Sequence, residues 1–523
     1  MGGICVKRLA FLGVIFLMCL LLLTFTVSAE ENLLMEAEAE AWGTSMPQID
    51  QITLFGTGTQ TTVERLYQAM LRGDAEINIS DLNLYYDFGT ESAPELNALM
   101  NYVIYTKPDL FYVKGWSYSY YASGHIATLK PNYTIAESER RAAKDFYEEK
   151  LNYILDQIDD DWSDLEKILF INDYLASHYE YDISVYSNSD TAIRDAYQFF
   201  KEGTGVCQAY YIVCKALLDA CDIPSTFATS EQANHVWNVV RLNGKWYHLD
   251  VTWNDPTSNL LGRARHKYFL LSTAKLLEED SDRTDWVCGE TVSCTDTTYN
   301  SYYWSEIDAP FVPLNGNWYY STSTAICVTD DVTRAGTPVI DHGYWHVPDK
   351  PGYVWNGAFS GLGTYKGWLI YNTENNVMGY DPLTGSTYTF YTLNDTTRRI
   401  FGAEITGNKV ICETDVHPGC SLSAPCSKNL EVEASLSYLD SLYDKSYAGV
   451  GVSEENGTVT IEGTPDSRKP FCIIAVGYNA NGKLCDRKMI WSTELESTTT
   501  QWQLEGKTVK LFMLTKDLYL PVG

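Results

Sequence analysis

From residue 47 to about 160 the apolar positions switch between a period of two and a period near 3.6, the pattern of a mixed α/β region. Residues 113–129 alternate around Tyr and Ser like a hairpin, and Thr134 with Glu137 forms a capping-box start for a helix running to Ile158. Ser163 with Glu166 repeats that signature ahead of Leu165, Ile168, Leu169 and Leu175 at helical spacing. A further helix is predicted from Val206, Tyr210, Val213, Leu217 and Cys221, stopped by Asp222-Ile223-Pro224. Two alternating runs then flank Asn243-Gly244, the strongest short hairpin signal. Beyond them, Asn315-Gly316-Asn317-Trp318, Lys366-Gly367-Trp368 and Gly407-Asn408-Lys409 read as strands opened by tight turns. They resemble propeller units, unevenly spaced and too few to close a ring. From about Leu430 short strands follow, with Asn481-Gly482 as a hairpin turn and 508–514 as a closing strand, and suggest an immunoglobulin-like β-sandwich.

A chain of 523 residues exceeds a single hydrophobic core. The expected order is a signal peptide over 1–29, an acidic linker over 30–46 and an α/β N-terminal domain over 47–160. An α+β domain over 161–300 comes next, then a β-rich domain over 301–428 and the sandwich over 429–523. Lys7 and Arg8, the apolar run from Leu9 to Val27, and small residues at Val27 and Ala29 make the secretory signal; left uncleaved, it would be an N-terminal anchor. Either form places the remainder at the cell surface or outside the cell.

The net charge of −30 argues against nucleic acid or an anionic membrane as a partner. With Cys5 and Cys19 in the leader, an odd number of the 13 cysteines remains, so one thiol is left over. Cys288 with Cys294, and Cys420 with Cys426, are near enough in sequence to be disulfide candidates.

The chemistry concentrates between residues 203 and 253. Cys207 falls in the first helical turn after Gly203-Thr204-Gly205-Val206, where free backbone N–H groups and the positive end of the helix favour a thiolate. Cys214 and Cys221 share its helix face at spacings of seven and read as core. If Asn243-Gly244 is a two-residue turn, Leu242 pairs with Lys245, His235 faces Thr252, and Asp250 lies one diagonal step away on the same face. His248 shares that face as well, and periodicity does not choose between the two histidines. His342 and His346 have metal-ligand spacing but no fixed acidic partner, and read as structural. No phosphate loop or paired-cysteine zinc motif occurs, so no cofactor and no metal are expected.

Gly205-Val206-Cys207, Asn234-His235-Val236-Trp237-Asn238 and Trp246-Tyr247-His248-Leu249-Asp250-Val251-Thr252-Trp253, in that order, resemble the transglutaminase-like superfamily. Asp255-Pro256 resembles the continuation, with a weaker match upstream at Asp173-Tyr174-Leu175 and Tyr181-Asp182. The resemblance implies a papain-like α+β core with Cys207 as nucleophile, His235 as base and Asp250 as the residue that orients it. It also implies acyl transfer from a protein or peptide amide through a thioester, on a cell-wall or host-surface protein for example. Water as acceptor gives a protease or deamidase, slightly favoured, and a lysine amine gives a cross-linking enzyme. The alternative is a non-catalytic surface protein that uses the domain for binding or structure.

Overall fold

The computed structural model describes residues 34–40 and 59–522, except 188–191, 257–260, 290–291, 349, 356, 358, 417–429, 443–445, 448–449, 456–457, 464–470, 480–483, 492–498, 506–507 and 516–517. The signal peptide, the pair Cys420–Cys426 and the Asn481-Gly482 turn lie outside the described residues. The chain forms two compact units, Met1–Asn259 with Ala264–Glu306, and Leu260–Arg263 with Ile307–Gly523. Among the described residues no helix is long and apolar enough to cross a membrane.

The first unit is built around the helix Cys207–Ala220, in which every residue from Cys207 to Leu218 is buried. Such a helix belongs at the centre of a domain. One side lies on a five-stranded antiparallel sheet whose order is Phe269–Leu271, Lys245–Leu249, His235–Leu242, Ser225–Ser230, Val287–Cys288. Asn238 Nδ2 of that sheet donates to the Tyr211 carbonyl at 3.3 Å. Elsewhere the central helix meets the helices Pro94–Thr106 and Asp164–His178. Tyr211 Oη donates to the Tyr105 carbonyl at 2.8 Å, and Tyr105, Tyr211 and Phe227 form a buried aromatic cluster.

The boundary expected at 160/161 is therefore not a domain boundary, because these aromatic side chains interlock the N-terminal helices with the later sheet. The helix Asp164–His178 carries the capping box at Ser163 and Glu166. The helix before it begins only at Glu137, with no side-chain cap, because Thr134 Oγ1 donates instead to the Tyr112 carbonyl. The acidic stretch also departs from the expected linker. Met35–Glu40 pairs antiparallel with Val113–Tyr120 at the edge of a second sheet. Its alternation puts Met35, Ala37 and Ala39 on the half-buried face and Glu36 and Glu38 in solvent, which keeps an exposed edge charged.

The second unit is all β at its start. Antiparallel meanders occupy Val312–Asp341, Leu362–Thr392 and Arg399–Ser435, with four, four and three strands. Positive φ at Asn315 and Gly316, and at Lys366 and Gly367, gives the tight turns that open the strands Asn317–Ser321 and Trp368–Asn372. The latter strand is buried on both faces. Leu369 and Tyr371 pack toward the first meander, while Trp368 and Ile370 pack toward the third. The expected boundary at 428/429 cuts this third sheet, because Leu430–Ser435 alternates in register with Lys409–Asp415. Residues 301–306 likewise belong to the first unit, where Trp304 packs on Phe269 and Tyr299.

After these come two more antiparallel sheets, ordered Ser446–Tyr447, Val450–Glu455, Thr458–Gly463, Thr499–Gln503 and Leu484–Trp491, Phe471–Tyr478, Thr508–Thr515, Leu518–Val522. The strand expected to close the chain is followed by one more.

Removing residues 1–160 would bare Tyr211 and Phe227, each worth on the order of 2 kcal/mol of burial. A fragment of residues 161–306 is therefore expected to lack a cooperative thermal transition by circular dichroism. A sharp transition at the full-length temperature would count against the single-unit reading.

Candidate active site

Cys207 opens the central helix because the chain before it runs extended. Thr204–Gly205 pairs in parallel with Glu180–Tyr181, and Val206 occupies the helix cap position. Gly205 is required there by close approach, since a Cβ would stand 2.6 Å from the Phe199 ring and 2.8 Å from Ala209 Cβ. The thiol is free, buried and 3.3 Å from Gln208 Oε1. It lies near enough to the His235 ring to raise that ring's basicity.

His235 starts its strand, and Asp250 follows the end of the next. Asn243 and Gly244, both at positive φ, make the two-residue turn between them. Pairing runs from Leu242↔Lys245 to Asn238↔Leu249 and then stops. The expected His235–Thr252 pairing does not form, because Val251–Asn254 turns into a short helix capped by Asp250. The cap still delivers the carboxylate: Asp250 Oδ1 accepts from the Trp253 backbone N–H at 3.2 Å, and Oδ2 accepts from His235 Nε2 at 2.8 Å. With Nε2 occupied by Asp250, Nδ1 is the ring nitrogen left for the thiol. The structure thus brings all three expected residues together.

Electrostatics follow from this geometry. Burial alone would lower the basicity of His235. The charge and hydrogen bond of Asp250, together with Cys207, outweigh it and raise the pKa from 6.5 to about 9. Burial works against the Asp250 carboxylate, yet His235 and Arg283 hold it down at about 2. His248 has the opposite environment. It accepts from Trp237 Nε1 at 3.0 Å, lies 3.0 Å from Thr273 Oγ1, and is pushed down to about 3 by burial and by Arg283. That histidine is neutral and committed to packing. Cys214 is fully buried and its thiol is pushed well up by burial, in keeping with a core role.

Sequence reasoning missed Arg283, which lies 33 residues beyond Asp250 in a loop that carries no motif. It is fully buried, with Nη1 2.6 Å from Asp250 Oδ2 and Nε 2.8 Å from Asp280 Oδ2. Its guanidinium stands 4.7, 4.6 and 5.2 Å from the ring centroids of Trp237, Trp253 and Tyr268. Asp255, from the continuation motif, accepts from Tyr210 Oη at 2.5 Å, and burial raises its pKa well above the carboxylate range.

The other candidates stay apart from this site. His342 is bound to Ser321 Oγ at 2.9 Å and His346 to Glu374 at 3.2 Å. Among the described residues no group of three His, Cys, Asp or Glu side chains could hold a metal ion. Cys288 and Cys294 are not joined by a disulfide and share one core cluster with Trp237.

No curated protein matches the chain. Among solved structures, a transglutaminase is 13% identical over 27% of this chain and 44% of its own, at a TM-score of 0.19. A candidate cysteine protease of Cytophaga hutchinsonii is 20% identical over 26% and 53%, at 0.17. A candidate protease of Parabacteroides distasonis ATCC 8503 is 12% identical over 26% and 33%, also at 0.17. This chain therefore spans roughly a third to a half of those structures, and likeness at such scores carries no argument about activity. Residues 153–251, which include Cys207, His235 and Asp250, match the family model of the transglutaminase-like superfamily, and that stretch of the chain is similar to it.

Proposed function

We propose that the protein is an exported cysteine acyl-transferase or hydrolase acting on protein or peptide amides, with Cys207 as nucleophile, His235 as base and Asp250 as its orienting acid. The observation that carries this reading is the buried Asp250 Oδ2–His235 Nε2 contact at 2.8 Å, with a free Cys207 at a helix start near enough to the ring to raise its basicity. His235 takes the thiol proton, and the thiolate attacks the amide carbonyl. As the tetrahedral intermediate collapses, the carbon–nitrogen bond breaks and the imidazolium passes its proton to the departing amine or ammonia. A thioester on Cys207 remains. Water then gives hydrolysis, and a lysine amine gives a cross-link. Because Asp250 is ionised and buried, it holds Nε2–H and leaves Nδ1 to exchange the proton.

The non-catalytic alternative would gain ground from a Cys207 that is disulfide-bonded or out of reach of His235; a free Cys207 that acts on the His235 ring favours the enzyme reading. Export rests on the leader pattern at residues 7–29. Hydrolysis is preferred over cross-linking because an extracellular thioester meets water at far higher concentration than any amine.

A thiol-reactive probe at mildly acidic pH is expected to label wild type at Cys207, to miss Cys207→Ala there, and to label His235→Ala at least ten-fold more slowly. Equal rates in wild type and His235→Ala would refute the activated thiol. With an acyl-donor peptide, mass spectrometry with and without a primary amine separates hydrolysis from transfer.

The raised His235 pKa also sets a stability window. The imidazolium–carboxylate contribution is fully present below pH 6.5 and is lost as pH rises through about 9. The gap in unfolding free energy between wild type and His235→Gln should therefore be largest below pH 6.5 and shrink toward pH 9, as read by denaturant titration. A gap independent of pH would contradict the assigned pairing.

A further inference from the structure

Residues 280–285 form a short strap that touches both the turn before His235 and Asp250. At one end Ser230 Oγ donates to Asp285 Oδ1 at 2.5 Å and the Gln232 backbone N–H donates to Asp285 Oδ2 at 2.9 Å. Those contacts pin the turn that leads directly into His235. At the other end the 3-10 turn Ser281–Arg283 sends Arg283 inward, where Nη1 meets Asp250 on the same oxygen that accepts from His235. One short segment therefore holds both the entry to the base and the acid that orients it.

The contact with Asp250 is more than packing. Arg283 is fully buried, its Nη2 makes no hydrogen bond, and three aromatic faces surround the guanidinium. A cation that cannot shed its proton has been placed where an apolar side chain would fill the same space at lower desolvation cost. Its charge matters because two carboxylates, Asp250 and Asp280, face it. With Arg283 present the cluster carries one net negative charge, and without it two, all bearing on His235.

On the triad reading above, we propose that Arg283 is a positioning residue for the reaction. It fixes Asp250 Oδ2 against His235 Nε2 and offsets part of the buried negative charge, so that the imidazolium can release its proton to the leaving group. Proton transfer from Cys207 to His235 leaves the cluster's net charge unchanged, so the guanidinium acts on how tightly His235 holds the proton. The other groups facing this cluster are Cys207 and Cys214 on the central helix, neutral His248 on the adjacent strand, Tyr268, and Glu279, which is paired with Lys267 and Lys275. Among them Arg283 is the cation that touches Asp250 besides His235.

The test is a ring-nitrogen NMR titration of His235 in the full chain, with the pH profile of Cys207 labelling alongside. Arg283→Gln should raise the His235 midpoint by about one pH unit, because a like charge has been removed. Arg283→Lys, which keeps the charge, should stay close to wild type, and Asp280→Asn should shift the midpoint downward. A folded Arg283→Gln protein titrating at the wild-type midpoint would overturn the proposal. If neither Arg283 variant folds, Asp280→Asn decides, and an unmoved or raised midpoint overturns it. If wild-type His235 titrates at its ordinary value and ignores Cys207→Ala, the triad reading itself fails, and the role of Arg283 with it.

Discussion

Asp250 is the constraint on which the site depends. A carboxylate with no solvent exposure is costly by several kcal/mol unless its lone pairs are filled, and here three donors fill them. They come from separate stretches of chain: His235 from the preceding strand, the Trp253 backbone from the helix that Asp250 itself caps, and Arg283 from the strap. Each donor requires its segment to be in place. The hairpin must turn at Asn243-Gly244, the strand must end at Leu249, and the strap must lie over the sheet. The ionised carboxylate thus links local turn chemistry to the closure of the whole site.

His235 and His248 show what such placement does to otherwise identical side chains. Both rings are buried within the same sheet, and burial disfavours the charged form of each. His235 contacts a carboxylate and becomes a strong base, with a pKa of about 9. His248 takes an indole N–H and feels the Arg283 charge, and its pKa falls to about 3. Periodicity places them on one face and assigns them equal chances. The difference arises from what lies at either end of the strand pair, which a local pattern does not contain.

Legibility in the sequence follows the same division. The two-residue hairpin and its register are set by contacts between neighbouring stretches of chain, and Gly, Asn and the alternation of apolar positions record them, as Gly205 and the apolar spacing record the helix start at Cys207. The same holds for the tight turns of the second unit. Arg283 left no trace because Asp250, Trp237 and Trp253, which draw it inward, are distant in sequence and because an arginine in an acidic loop ordinarily reads as solvated. The misplaced boundaries at 160/161 and 428/429 share a cause. In the first, Tyr105 and Tyr211 pack together across more than a hundred residues; in the second, Leu430–Ser435 completes a sheet begun upstream. The segment Met35–Glu40 carries a strict period of two beneath its acidic composition, and that period, not the charge, decides its structure.

Burial of the Cys207 helix on all sides carries a consequence for reactivity. A helix with one wet face can shift along its groove, but one enclosed by a sheet and two helices has its axis fixed, and the residue at its first turn inherits that precision. The sulfur is then located by the fold rather than by its own few contacts. The imidazole is located in the same way from the opposite direction, by the strand start and by Asp250. The N-terminal helices therefore belong to the chemistry even though they lend it no reacting group. They supply the wall against which Tyr211, and with it the helix that begins at Cys207, is held.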